Sequence, residues 1–224
     1  MDWSPILISM KTASVSIVIT FFLGILAAWW VVSMKNERMK IILDGVLTLP
    51  LVLPPTVAGF FLLYLFGVKR PIGIFFLQYF GVKIAFSWTA TVLASVVMSF
   101  PLMYRSARGA FEQVDPNLMA AARTLGMSEW SIFYKVLIAN AMPGIVSGGV
   151  LAFARGLGEF GATAMIAGNI AGKTRTLPMA VYSEVAAGNM DAAYRYVAII
   201  VVIAFLSVIL MNRAALREKK RRLS

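Results

Sequence analysis

Residues 12–34, 45–68 and 84–104 each run past twenty positions without one charged side chain. As a helix, such a run is long enough to cross the roughly 30 Å hydrocarbon core of a bilayer. Hydrocarbon offers no partner to backbone N–H and C=O groups, so a spanning segment must satisfy its own. The chain is 60% hydrophobic with a mean hydropathy of +0.81, which excludes a soluble domain of ordinary composition. A fourth apolar helix is expected to start near Pro143, where charge interrupts it, and a fifth over 196–212. Residues 160–172 are uncharged but too few to span alone, and read as the end of the fourth helix or a partly inserted segment. The expected fold is an all-α membrane protein of about five transmembrane helices, with residues 1–224 as a single transmembrane domain.

Five crossings sort the charge of +11 by side. Residues 33–44, 105–135 and the tail from 213 carry thirteen lysines and arginines, against seven on the opposite side. The positive-inside rule then places the N-terminus outside, the tail inside and the 105–142 stretch in the cytoplasm. The oily N-terminus lacks the charged start of a signal peptide, so the first helix is expected to be retained. The basic tail, Arg217 with Lys219, Lys220, Arg221 and Arg222, reads as a stop on the anionic inner leaflet.

The chain has no Cys and no His. That removes thiol chemistry, the commonest general base and the commonest transition-metal ligand. No phosphate-binding G-x-x-x-x-G-K-[ST] loop is present. With few acids in its spans, the chain offers little from which to build a catalytic site. An ion-driven secondary transporter would favour internal repeats or unpaired intramembrane carboxylates, and the chain displays neither.

The charged stretch 115–145 is too polar for lipid and reads as two short helices around a hinge. Asp115 is a good N-cap, Pro116 suits the first helical position and Gly126 supplies a left-handed stop. Ser128 can cap the second helix before Glu129, and Pro143 then breaks the hydrogen-bond ladder or starts a new helix. Consecutive Ala120, Ala121 and Ala122 make a smooth turn that another surface could approach. The alternative is a helix packed on its own protein. A DNA-binding pair of helices is rejected, since Arg123 and Lys135 are its only cations.

Two further clusters are candidates for a path. Pro50, Pro54 and Pro55 crowd the second span and remove backbone donors, with Thr56 beside them. They mark either a kinked or unwound helix near a gate or a helix start at the interface. Gly144, Gly148, Ala152 and Gly156 form a four-residue stripe for close helix packing, favouring contact within the subunit over a dimer contact. Arg155 and Glu159, four apart in glycine-rich sequence, can pair on one helical face. The pair reads as a structural clasp or as part of a gate.

The run AARTLG followed by a hydrophobic segment resembles the coupling loop of binding-protein-dependent ABC importer permeases. The Ala-Ala of that motif falls on Ala121 and Ala122, and its Gly on Gly126. Ala120 replaces the usual Glu, and Ile138-Ala139 the usual Leu-Pro. LPLVLPP near residue 50, SWTATVLASVV from residue 87 and FARGLGEFGATAMIAGN from residue 153 resemble the molybdate group of these permeases, with sulfate permeases as near relatives.

The resemblance implies a type I importer permease in the bacterial cytoplasmic membrane, passing molybdate or tungstate by alternating access. A second copy, a cytoplasmic ATPase dimer, an external oxyanion-binding protein and lipid would be its partners, with no nucleic acid. ATP and Mg would bind the ATPase, leaving this chain without a cofactor or metal. Ala120, Ala121, Ala122, Arg123, Gly126, Ser128 and Glu129 would meet the ATPase. Pro50, Pro54, Pro55, Thr56, Arg155, Glu159 and Thr163 would belong to the gate or pathway.

Overall fold

The computed structural model describes residues 2–223, with side chains through Leu210 and that of Arg213. The reading of the basic tail as a membrane stop rests on side chains outside those described. Among the described residues all regular structure is helical. Four helices are long and apolar enough to cross a membrane: α1 (Ser4–Val32), α5 (Trp88–Glu112), the continuous Glu129–Leu157 and Met190–Leu210. The last is the apolar part of α11 (Met190–Leu223).

The expected span over 45–68 is not a single kinked helix. It consists of α2 (Glu37–Val52) and α3 (Pro55–Phe66), whose axes differ by 110°. Leu53 donates its N–H to Leu49 C=O at 3.1 Å and adopts an extended backbone. Pro54 and Pro55 have no N–H to give, so the ladder stops there. Pro50 lies within α2 without ending it.

The core is built on α5, which packs along α1 on one face and α8 (Ala139–Leu157) on another. Hydroxyls set the register of α1 on α5. Thr12 bonds Thr91 at 2.9 Å, Ser16 accepts from Ser95 at 2.8 Å and Thr20 bonds Ser99 at 3.2 Å. All three pairs are separated by 79 residues, so the helices run in the same direction. Trp88 Nε1 also donates to Thr12 at 3.0 Å. Interhelical bonds of this kind average about 0.6 kcal/mol in membranes. Their larger effect is to reject a one-turn slip.

The glycine stripe packs within the subunit. A Cβ at Gly144 would lie 2.7 Å from Ala110 Cβ, and one at Gly156 would lie 2.6 Å from Ser95 Oγ. Small residues therefore let α8 approach α5 more closely than ordinary side chains permit.

Pro143 neither ends nor starts a helix, although its ring nitrogen leaves one rung of the ladder unfilled. It lies inside α8, which continues from α7 (Glu129–Ile132) through a π-helical segment, Phe133–Ile138. The helix that carries the fourth span therefore begins at Glu129, well before Pro143. The wider π ladder precedes the proline, and Asn140 Nδ2 donates to Val136 C=O at 2.7 Å. A side chain thus serves a carbonyl near the altered pairing.

Four short helices complete the chain: α4 (Pro71–Phe80), α6 (Pro116–Thr124), α9 (Gly161–Ala167) and α10 (Leu177–Ala186). Segment 160–172 is a separate piece rather than an extension of the fourth helix. Gly158 ends α8, and α9 packs against α3 and α5.

Candidate functional site

Local capping shapes the 115–132 stretch. Asp115 Oδ1 accepts from Asn117 N–H at 2.9 Å at the start of α6 (Pro116–Thr124). Gly126 takes φ +75, and Ser128 Oγ accepts from Ser131 N–H at 3.3 Å at the start of α7. Residues 105–112 belong to α5 and 139–142 to α8, leaving α6, α7 and their hinge between the spans.

Ala120 and Ala121 are exposed, but Ala122 is only 5% exposed and faces the protein. The smooth outward surface is therefore narrower than three consecutive alanines suggest. Arg123, Gly126, Ser128 and Glu129 are exposed. Arg123 donates through Nε to Glu129 Oε1 at 2.7 Å and through Nη2 to Oε2 at 3.1 Å. This two-pronged bond closes α6 onto α7. It holds the Glu129 carboxyl below its ordinary range and raises that of the Arg123 guanidinium.

The Glu129–Leu157 helix connects this surface to membrane depth. Near its far end, Arg155 Nη1 donates to Glu159 Oε2 at 2.5 Å. The Glu159 side chain is 2% exposed, while that of Arg155 is 28% exposed. Glu159 Oε1 also accepts from Ala162 N–H at 2.8 Å. One carboxylate thus holds the last turn of α8 and the first turn of α9 together, where neither charge nor amide is left without a partner.

The proline cluster reaches the same place. A Cβ at Gly161 would lie 2.8 Å from Pro55 Cβ, and one at Gly59 would lie 2.6 Å from Ala162 Cα. The structure therefore brings Pro55 and Glu159 to the same end of one tight α3–α9 contact, at the first turn of α9. Thr163 is buried at 1% exposure on α9. Pro54, Pro55 and Thr56 are exposed, and Pro50 is half-buried on α2, one arm of the bend away.

Another clasp escaped the sequence reading. Tyr104 OH donates to Asp44 Oδ1 at 2.9 Å, and Arg108 forms an ion pair with the same carboxylate. Arg108 also donates to Glu112 at 2.9 Å. Together they fasten α2, which has no buried residue of its own, to α5. Asp44 as the lone acid beside the apolar 45–68 run was the available signal. The α1–α5 hydroxyls were signalled by two matching strides of four, at 12, 16, 20 and 91, 95, 99.

Residues 20–222 match the family described as binding-protein-dependent transport system inner membrane component. The chain is 42% identical over 221 residues to the molybdenum transport system permease protein ModB of Escherichia coli (strain K12), covering 98% of this chain and 96% of that protein. A putative molybdenum transport system permease protein, YvgM, of Bacillus subtilis (strain 168) is 41% identical over 94% of this chain and 92% of its own. Among solved structures, an inward-facing MetNI methionine ABC transporter matches with a TM-score of 0.73 at 17% identity, covering 93% of this chain and 92% of that one. A bacterial alginate ABC transporter matches with a TM-score of 0.77 at 14% identity, covering 97% of this chain and 79% of that one.

Proposed function

Since this chain belongs to the binding-protein-dependent transport system inner membrane components, we propose that it is the permease subunit of an ATP-driven importer of molybdate. The cargo assignment is supported by near-full-length identity of 42% to a molybdenum transport permease. Two copies would enclose the path in lipid. A separate ATPase dimer would bind ATP and Mg, and an external binding protein would deliver the anion.

One observation carries the mechanism. The exposed Ala120–Ala121 turn is joined, across the Gly126 hinge, to a continuous helix ending beside Arg155 and Glu159. Ala121, Arg123, Gly126, Ser128 and Glu129 would form the surface that the ATPase grips. Ala122 would position this turn from within. Closure of the ATPases would move α6, and the Glu129–Leu157 helix would transmit that motion towards the α3–α9 contact. Alternating access requires two arrangements biased differently by ligand. The α2–α3 bend and the break at Gly158 supply places where such a change can be absorbed.

Purified permease, ATPase and binding protein reconstituted in liposomes test this reading. ATP-dependent accumulation of labelled molybdate or tungstate is the expected result. Sulfate uptake in preference to molybdate would reassign the cargo, while uptake driven by an ion gradient without ATP would refute the importer mechanism.

A further inference from the structure

A cleft of about 1100 Å³ opens between α5, the start of α6 and the beginning of α8, on the side that the charge count assigns to the cytoplasm. Its polar lining includes Arg105, Ser106, Gln113, Asp115, Asn140 and Ser147. Arg105 is the only cation among the lining residues and is exposed. Its neighbour Arg108 is paired with both Asp44 and Glu112, whereas among the described residues Arg105 has no ion-pair partner. Asp115, the only acid in the lining, directs Oδ1 to the Asn117 N–H as a helix cap.

We propose that Arg105 marks a weak exit site for a tetrahedral oxyanion on its way from the membrane to the cytoplasm. This rests on the oxyanion-importer reading above. An unpaired guanidinium attracts a dianion, and the flanking Ser106 and Ser147 hydroxyls can donate to its oxygens. The cleft greatly exceeds the volume of one such anion and remains wet. Coulomb attraction is therefore modest, suiting a site that must release its occupant. The surrounding hydroxyls and amides add donors without adding a second fixed cation to hold the anion back.

The test uses the complete complex in liposomes, with labelled molybdate as probe and binding-protein-stimulated ATPase activity measured in parallel. Arg105→Gln should lower uptake at low salt by about tenfold, corresponding to one well-placed charge interaction. Arg105→Lys should retain most uptake. ATPase docking and stimulation should persist in both variants. Raising salt should slow the wild type towards the Arg105→Gln rate, because ions screen exposed charges. Wild-type rates in Arg105→Gln, equal losses in the Gln and Lys variants, or an unchanged salt dependence would overturn the exit site alone. A wild-type complex that transports neither molybdate nor sulfate would overturn the importer reading and this inference together.

Discussion

Arg155 and Glu159 are unequal halves of one pair, so removing either should produce unequal losses. The Glu159 side chain is 2% exposed and that of Arg155 is 28% exposed. Arg155→Met strands a buried carboxylate with the Ala162 N–H as its remaining partner. Breaking a buried pair in this way costs about 3–5 kcal/mol. Glu159→Gln retains an oxygen for Ala162 and leaves a guanidinium that already touches water. Its loss is that of one charge-assisted hydrogen bond, about 1.5–3 kcal/mol. In the combined Arg155→Met, Glu159→Gln protein, the neutral amide still caps α9 and no charge is stranded. The double variant should therefore be more stable than Arg155→Met alone, which needs a coupling larger than the Glu159→Gln loss, about 3 kcal/mol. Thermal melting and monodisperse yield of the purified protein in detergent provide the measurement. Equal losses from the single changes, or a double loss equal to their sum, would refute the reasoning.

Ala121→Arg should leave insertion and folding intact but abolish copurification with the ATPase, whereas Ala122→Arg should reduce folded yield because Ala122 is buried. Gly59→Val should disrupt α3–α9 packing, since its Cβ would meet Ala162 Cα at 2.6 Å; loss of melting temperature would register this, and wild-type stability would contradict it. Pro54→Ala with Pro55→Ala restores two N–H donors at the α2–α3 bend and should lower molybdate uptake per ATP hydrolysed, while unchanged coupling would remove the bend from the mechanism. The Arg123–Glu129 contribution should be complete above the unfolded Glu value of about 4.3 and disappear as pH falls through the lower folded value. ATPase docking should consequently be insensitive to this pair between about pH 6 and 8, and a loss that disappears in Glu129→Gln would disprove that assignment.

The parts legible in the sequence depend on nearby residues. Asp115, Gly126 and Ser128 perform the expected capping because each acts within a few positions. Arg155 and Glu159 were also predictable as partners, since four residues bring side chains to one face. Proline chemistry announced a defect near residue 54, but the angle of 110° depends on where α3 finds its contact with α9. The orientation of Ala122 likewise depends on how α6 is rolled against the protein. Helix α4 was overlooked despite its own boundary marks, Pro71 at the start and left-handed Gly81 at the end. Its apolar residues merge with no spanning run once Lys69 and Arg70 interrupt the sequence. The π-helical segment had no comparably local signature, and the helix start expected near Pro143 was therefore misplaced.

That segment makes the direction faced by the cytoplasmic surface a matter of residue count. A π turn places one more residue between hydrogen-bonded partners than an α turn. Each residue turns an α-helix by about 100°. Phe133–Ile138 consequently acts as an angular offset between α7 and α8 on a shared axis. Forcing all six residues into an α-helix, with none removed, would swing α7 by about 100° relative to the span. The Trp130–Trp29 contact, with ring centroids 5.4 Å apart, would lose its facing partner. The wide turn that absorbs one surplus residue thus keeps α6 and its Ala120–Ala121 turn facing as they do.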